Sequence, residues 1–194
     1  MNKALFFNFI GCLMSNKKLA YMEFIGSAFV FAFGMLVKYA FTLSEGDVWS
    51  YFISSVNNSA WEQMKPFTFP FFIWSVIELA VLRLPVVRFV PSKVAVFYIY
   101  WSAGLFYMAA YNSFFDGIWR ILLFVGLLVI ILISHYISYV FITKSKVISS
   151  FFIPSLIALV MFIAMFIVFT PYAPHGALFY DSTADGYGLS ASEI

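Results

Sequence analysis

The chain has 194 residues, of which 63% are hydrophobic, 22% aromatic and only 10% charged, whereas a soluble domain carries about 25% charged residues. That much apolar surface has to face lipid, which excludes a water-soluble globule, and a formal charge of +2 with no basic stripe excludes nucleic acid as a partner. The single cysteine, Cys12, leaves no internal disulfide and no CxxC metal or redox motif.

The leading apolar segment, residues 4–14, is too short to cross a bilayer, since a spanning helix needs about 20 mostly apolar residues. Residues 1–18 are therefore expected to form an interfacial N-terminal helix. The alternative is a signal segment, with Gly11-Cys12 as a lipoprotein cleavage site. Five later runs are long enough to span: residues 21–41, 67–84, 92–111, 118–140 and 147–169. Short links between them imply antiparallel neighbours. The expected fold is an all-α polytopic bundle of about five transmembrane helices over residues 19–169, with the lipid bilayer as its surroundings and an oligomer open to it.

Cations accumulate in cytoplasmic loops. Lys3, Lys17, Lys18, Arg83, Arg88, Lys93, Lys144 and Lys146 fall on the N-terminal side, against Lys38, Lys65 and Arg120 on the other. This places the N-terminus inside and, after five crossings, the C-terminal tail of residues 170–194 outside. Paired prolines in Thr170-Pro171-Tyr172-Ala173-Pro174-His175 end the last helix, and the aromatic turn Asp185-Gly186-Tyr187-Gly188 suggests a tail folded over the outer mouth.

Polar residues gather on that side: Glu45, Asp47, Asn57, Asn58, Glu62 and Lys65 in the first outer loop, Asp116 and Arg120 in the second, His175, Asp181 and Asp185 in the tail. Ser59 with Glu62 three residues later matches a capping box at a helix start, which explains Glu62 structurally. Trp61 has the bland reading of an interfacial anchor, and Lys65 that of a snorkelling cation or a partner of Glu62. Lys38, near the outer end of the first helix, either snorkels or faces the bundle and pairs with Glu62 or Asp181. Together Lys38, Asn57, Trp61, Glu62, Lys65, His175 and Asp181 are the candidate ligand-binding residues for a small polar ligand or lipid headgroup.

Two ionisable residues lie deeper. Glu78 precedes the inner end of the second helix by six residues and His135 that of the fourth by about eight, which puts both roughly 9 to 12 Å from the same face. Intramembrane acids find a partner, so a Glu78 to His135 pair, with Tyr136 or Tyr139 nearby, is expected. Pro154 removes an amide from the fifth helix and should kink or loosen it there. No GxxxxGK[ST], GxSxG or HExxH motif is present, and with two histidines at different depths no metal site or cofactor is expected.

The stretch Val56-Asn57-Asn58-Ser59-Ala60-Trp61-Glu62-Gln63-Met64-Lys65, with Pro70 and Glu78 after it, and the ending Phe169-Thr170-Pro171-Tyr172-Ala173-Pro174-His175 through Asp181 to Gly186-Tyr187-Gly188 together resemble a family of small bacterial integral membrane proteins known only as a domain of unknown function. The resemblance covers residues 23–189. It implies a bacterial plasma membrane and no established activity, and it draws attention to Trp61, Glu62, Lys65, His175 and Asp181. Lys38 stands where that pattern expects a histidine, and Asn58 where it expects an acid. Three readings follow: a binding protein with an extracytoplasmic pocket, a lipid-directed enzyme with His175 or Glu62 as base and Asp181 as its orienter, and a small transporter using Glu78 and His135.

Overall fold

A computed structural model describes residues 3–44, 48–115, 120–144 and 147–188 of the chain, without the side chains of residues 3–15 and of a few others at segment ends. Glu45, Asp47 and Asp116 lie outside the described residues, and the side chain of Arg120 does too. The chain is helical almost throughout. In order come α1 (Lys3–Lys38), α2 (Ala40–Leu43), α3 (Val48–Ile53), α4 (Ala60–Leu82), α5 (Val86–Phe115), α6 (Arg120–Lys144), a 3-10 turn (Val147–Phe151), α7 (Phe152–Phe169), and a two-stranded antiparallel hairpin of β1 (Tyr180–Asp181) and β2 (Gly186–Tyr187).

Five segments are long and apolar enough to cross a membrane: Asn16–Lys38, Ala60–Leu82, Val86–Phe115, Ile121–Lys144 and Ile148–Phe169. All five expected runs are therefore present, but three boundaries move. The leading segment does not form a separate helix: α1 runs from Lys3 to Lys38 without a break. The second span begins at Ala60, not at residue 67, because its polar first turns satisfy one another inside the fold instead of lying in water. The third begins at Val86, directly after Pro85. Its Lys93, expected at the cytoplasmic end of this run, is 4% exposed and lies inside the bundle.

Helices α1, α4, α5 and α6 form a closed ring, each packed on its two neighbours, and α7 leans against α5 from outside. The ring is filled by Val30, Met64, Phe67, Phe71, Phe97, Tyr100, Leu127 and Ile131, all buried. In contrast, α7 exposes Ile153, Ile157, Val160, Met161 and Ile167. A helix apolar on every side and packed on only one is what a lipid solvent permits.

Pro154 does not kink a helix interior as expected. The 3-10 turn absorbs the preceding residues and α7 starts at Phe152, so the proline occupies the first turn, where its missing amide leaves no carbonyl stranded. Within α4 the proline at 66 does lie inside the helix. The carbonyl it would have bonded, that of Glu62, accepts instead from Ser55 Oγ at 2.8 Å.

Candidate functional site

The start of α4 is held by its own polar residues. Ser59 Oγ accepts from the Glu62 amide at 3.3 Å, the first half of the expected capping box. The second half is absent: the Ser59 amide donates to Asn57 Oδ1 at 2.9 Å, and the Glu62 carboxylate reaches further back, to the Val56 amide at 3.1 Å. The remaining capacity of that carboxylate goes to Lys65, whose Nζ stands 2.8 Å from Oε2 and 3.1 Å from Oε1. Lys65 also donates to the Tyr51 carbonyl at 2.6 Å. With Lys65 0% and Glu62 2% exposed, this is an internal strut tying α3 and its following loop to α4, and Lys65 does not snorkel.

The tail is stitched to the same loop. Asn57 Nδ2 donates to the Gly188 carbonyl at 2.9 Å, the Asn58 amide donates to Asp181 Oδ2 at 2.7 Å, and the Trp61 amide donates to the Leu178 carbonyl at 2.9 Å. Trp61 is buried rather than anchored at an interface. Its ring packs on Trp101, Phe169 and Phe179 at centroid distances of 4.6, 5.6 and 5.0 Å. Gly188 has φ +57 and its added Cβ would press on Ala173 Cβ at 3.3 Å, so both its conformation and its surroundings favour glycine.

Asp181 is the centre of the latch. Burial alone would raise its carboxyl. The Thr183 hydroxyl and the amides of Asn58, Thr183 and Ala184 outweigh that and hold it below its ordinary 3.8. A depressed folded-state value contributes stability that is fully present above 3.8 and is lost as pH falls through the lower folded value. Limited proteolysis by an acid-active protease should thus find the tail protected above that value and cleaved readily well below it. Equal cleavage on both sides would show that the carboxylate does not hold the tail.

Beside this latch lies a cavity of about 320 Å³, lined by Lys38, Asn58, Gln63, Tyr111, Asn112 and Thr183, with Tyr39, Leu123, Phe124 and Ser182 completing it. Lys38 is half-buried, its Nζ 5.9 Å from the Phe124 ring; its ion-pair partners are neither Glu62, which holds Lys65, nor Asp181, which holds the tail. Gln63 Nε2 and Asn112 Nδ2 both donate to the Asn58 carbonyl, at 2.6 and 3.1 Å. The Tyr111 hydroxyl is buried and has no hydrogen-bond partner among the described residues.

Of the candidate residues, only Lys38 lines this cavity. Asn57, Trp61 and Asp181 tie the tail to the loop before α4, and Glu62 and Lys65 form the strut between α3 and α4. His175 is exposed and stacks on Tyr187, ring centroids 4.6 Å apart. Among the described residues no hydrogen bond joins His175 to Asp181, so the proposed base and orienter do not meet. Gln63, Tyr111 and Asn112 were not singled out from sequence. Tyr111 and Asn112 sit at the end of an aromatic helix and carry no motif, and Gln63 sits in the capping stretch, where its polarity already had an explanation.

Deeper in the ring, Glu78 and His135 share one cluster but do not touch. His135 Nδ1 lies 2.7 Å from Glu23 Oε2, Glu23 takes Lys93 Nζ at 2.9 and 3.0 Å, and Lys93 Nζ stands 2.6 Å from Glu78 Oε2. The Lys93 to Glu78 contact is a close ion pair outside hydrogen-bond geometry, and neither Glu78 oxygen has a hydrogen-bond partner among the described residues. Ser138 Oγ also donates to Glu23. The expected pair is therefore corrected to a four-helix chain, with Glu23 and Lys93 between its ends. Tyr136 and Tyr139 form no hydrogen bond to it among the described residues. Glu23 could have been found as an acid several residues inside an apolar run, and Lys93 by starting the helix at the proline turn.

Among the described residues no three His, Cys, Asp or Glu side chains are grouped to hold a metal ion. No curated protein and no solved structure matches the chain. Residues 13–189 match a family of unknown function, DUF6512, and the chain, an apolar five-span helical bundle with a latched polar cavity, belongs to that family.

Proposed function

We propose that this protein is a plasma-membrane binding protein that takes a small anionic ligand, a phosphate or carboxylate group, free or on a lipid headgroup, in the cavity beside the tail. The observation that carries this reading is the cavity's lining: the ammonium of Lys38 and the buried Tyr111 hydroxyl, which has no hydrogen-bond partner among the described residues, with the amide groups of Asn58, Gln63 and Asn112 and the hydroxyl of Thr183 around them. A concave site with few convergent polar groups is the usual form of a ligand pocket, and an ammonium set among amide and hydroxyl donors suits an anion. The Lys and Arg distribution supports a cytoplasmic N-terminus, which puts the cavity on the outer face of the membrane. The family resemblance supports a bacterial setting.

The lipid-directed enzyme is less favoured, since His175 is exposed and unjoined to Asp181. Transport is less favoured as well. About 22 Å of helix separates Glu23 from Lys38, and across that distance the ring is packed with Phe67, Phe71, Phe97, Tyr100 and Leu127, which offer no continuous polar route.

Thermal unfolding of the purified protein in dodecyl maltoside tests the proposal, with glycerol 3-phosphate, inorganic phosphate and choline as soluble probes and phosphatidic acid nanodiscs as the lipid arm. Stabilisation by the phosphate compounds and not by choline is expected. Lys38→Met should weaken that binding by about tenfold to a hundredfold, the range for losing a hydrogen bond to a charged group, and Tyr111→Phe by less. A response to phosphatidic acid alone would identify the headgroup as the source. If no anion stabilises the protein, or if Lys38→Met binds as well as the parent, the reading is wrong.

A further inference from the structure

A second cavity, of about 300 Å³, runs between α1 and α6 at the depth of the ionisable cluster. Its floor includes Glu23 and His135, and its walls include Phe24, Leu132, Tyr136 and Tyr139. Phe24 is 67% and Tyr136 66% exposed, and both lie within spanning segments, so the groove faces lipid rather than water. None of the candidate residues around the tail belongs to it.

The cluster beneath this groove is incomplete in charge. Glu23 from α1 and Glu78 from α4 face a single ammonium, Lys93 from α5, with His135 from α6 beside them. With both carboxylates ionised and the imidazole neutral, the four groups sum to one negative charge in surroundings that do not solvate it. The hydrogen bonding is incomplete too. When His135 Nδ1 carries the proton shared with Glu23, Nε2 presents a lone pair, and that buried nitrogen has no partner among the described residues, nor has either Glu78 oxygen. Gly26 allows the crowding: a methyl there would collide with Trp74 Nε1 and His135 Cε1.

A ligand that suits this site brings one positive charge and hydrogen-bond donors on a body that tolerates apolar, aromatic walls. A bare metal ion does not fit, because the acids and the histidine are not grouped to coordinate one. We propose that the groove between α1 and α6 takes the protonated amine of an amphiphilic molecule from the lipid phase, the ammonium completing the charge of the Glu23, Glu78, Lys93 and His135 cluster and the chain lying against Phe24, Leu132 and Tyr136. Glu23, which lines the groove and touches both Lys93 and His135, is the group the amine meets. This site is independent of the anion cavity near the tail.

The test uses the full-length protein in dodecyl maltoside with dodecylamine, and with dodecanol and dodecyl sulfate as probes of the same chain length. Dodecylamine is expected to raise the unfolding midpoint saturably, dodecanol to leave it unchanged, and dodecyl sulfate, a denaturing anion, to lower it. Glu78→Gln removes the excess negative charge without altering any residue of the groove, so it should weaken dodecylamine binding by about tenfold or more. Ala20→Phe, at an exposed position in the groove wall, should block it sterically while leaving the cluster intact. Equal stabilisation by dodecanol would make the groove a merely apolar one. Unchanged binding in Glu78→Gln would remove the charge argument, and a midpoint that responds to pH but not to the amine would make the cluster a site for a proton alone. Each of these three results overturns the proposal.

Discussion

Replacing Lys93 by methionine should destabilise the bundle by about 3–5 kcal/mol, the range for removing one partner of a buried ion pair. Among the described residues Lys93 is the only cation within contact of both buried carboxylates, at 2.9 Å from Glu23 and 2.6 Å from Glu78. Without it Glu23 keeps His135 and Ser138, but Glu78 keeps no cation among the described residues. Four helices meet at this point, so the cost falls on the assembly of the ring rather than on one element. Reversible unfolding in mixed dodecyl sulfate and dodecyl maltoside micelles measures it. The triple variant Glu23→Gln, Glu78→Gln, Lys93→Met should recover most of the loss, because replacing a buried charged group together with its partners is often near neutral. A Lys93→Met protein within about 0.5 kcal/mol of the parent, a difference typical of ordinary surface changes, would mean the cluster contributes nothing to the fold.

Lys65→Met should cost a similar amount, about 3–5 kcal/mol, for a related reason with a different consequence. It strands the Glu62 carboxylate with the Val56 amide as its remaining partner and releases the Tyr51 carbonyl. The strut joins the α3 loop to α4, and the same loop carries Asn57 and Asn58, which hold the tail. Loss of stability should therefore be accompanied by faster proteolysis of the tail, which Lys93→Met should not share. A double-mutant cycle with Glu62→Gln should show coupling of about 1–3 kcal/mol. Near-additive effects would show that the two side chains act separately, and would reopen Glu62 and Lys65 as groups available to a ligand.

The spans were legible in the sequence because lipid as a solvent demands long apolar runs, and five of them stand out. The ends were less so. The Val56 to Lys65 stretch looks like a hydrated loop leading into a helix, yet Ser59, Glu62 and Lys65 satisfy each other, and all three are buried at the start of α4. Lys93 shows the same difficulty in another form: a cation beside a proline turn has the signature of a cytoplasmic loop, and only its two carboxylate partners, 70 and 15 positions away, draw it inside. Sequence spacing correctly brought Glu78 and His135 to one depth. It could not place Glu23 between them, since that depends on which face of α1 turns toward the ring. The candidate ligand residues near the tail lie at one end of the bundle, but composition alone does not separate the groups that line a cavity, such as Lys38, from those that hold the loop and the tail together.

The most direct measurement is the labelling of a single cysteine at Ser182, an exposed residue that lines the cavity, in a Cys12→Ser background. A membrane-impermeant maleimide is applied to right-side-out and to inverted vesicles, with and without glycerol 3-phosphate. An extracytoplasmic anion site requires fast labelling in right-side-out vesicles alone, slowed by glycerol 3-phosphate and no longer slowed once Lys38→Met is added. Labelling only from the opposite face, or at a rate the phosphate does not change, would contradict it.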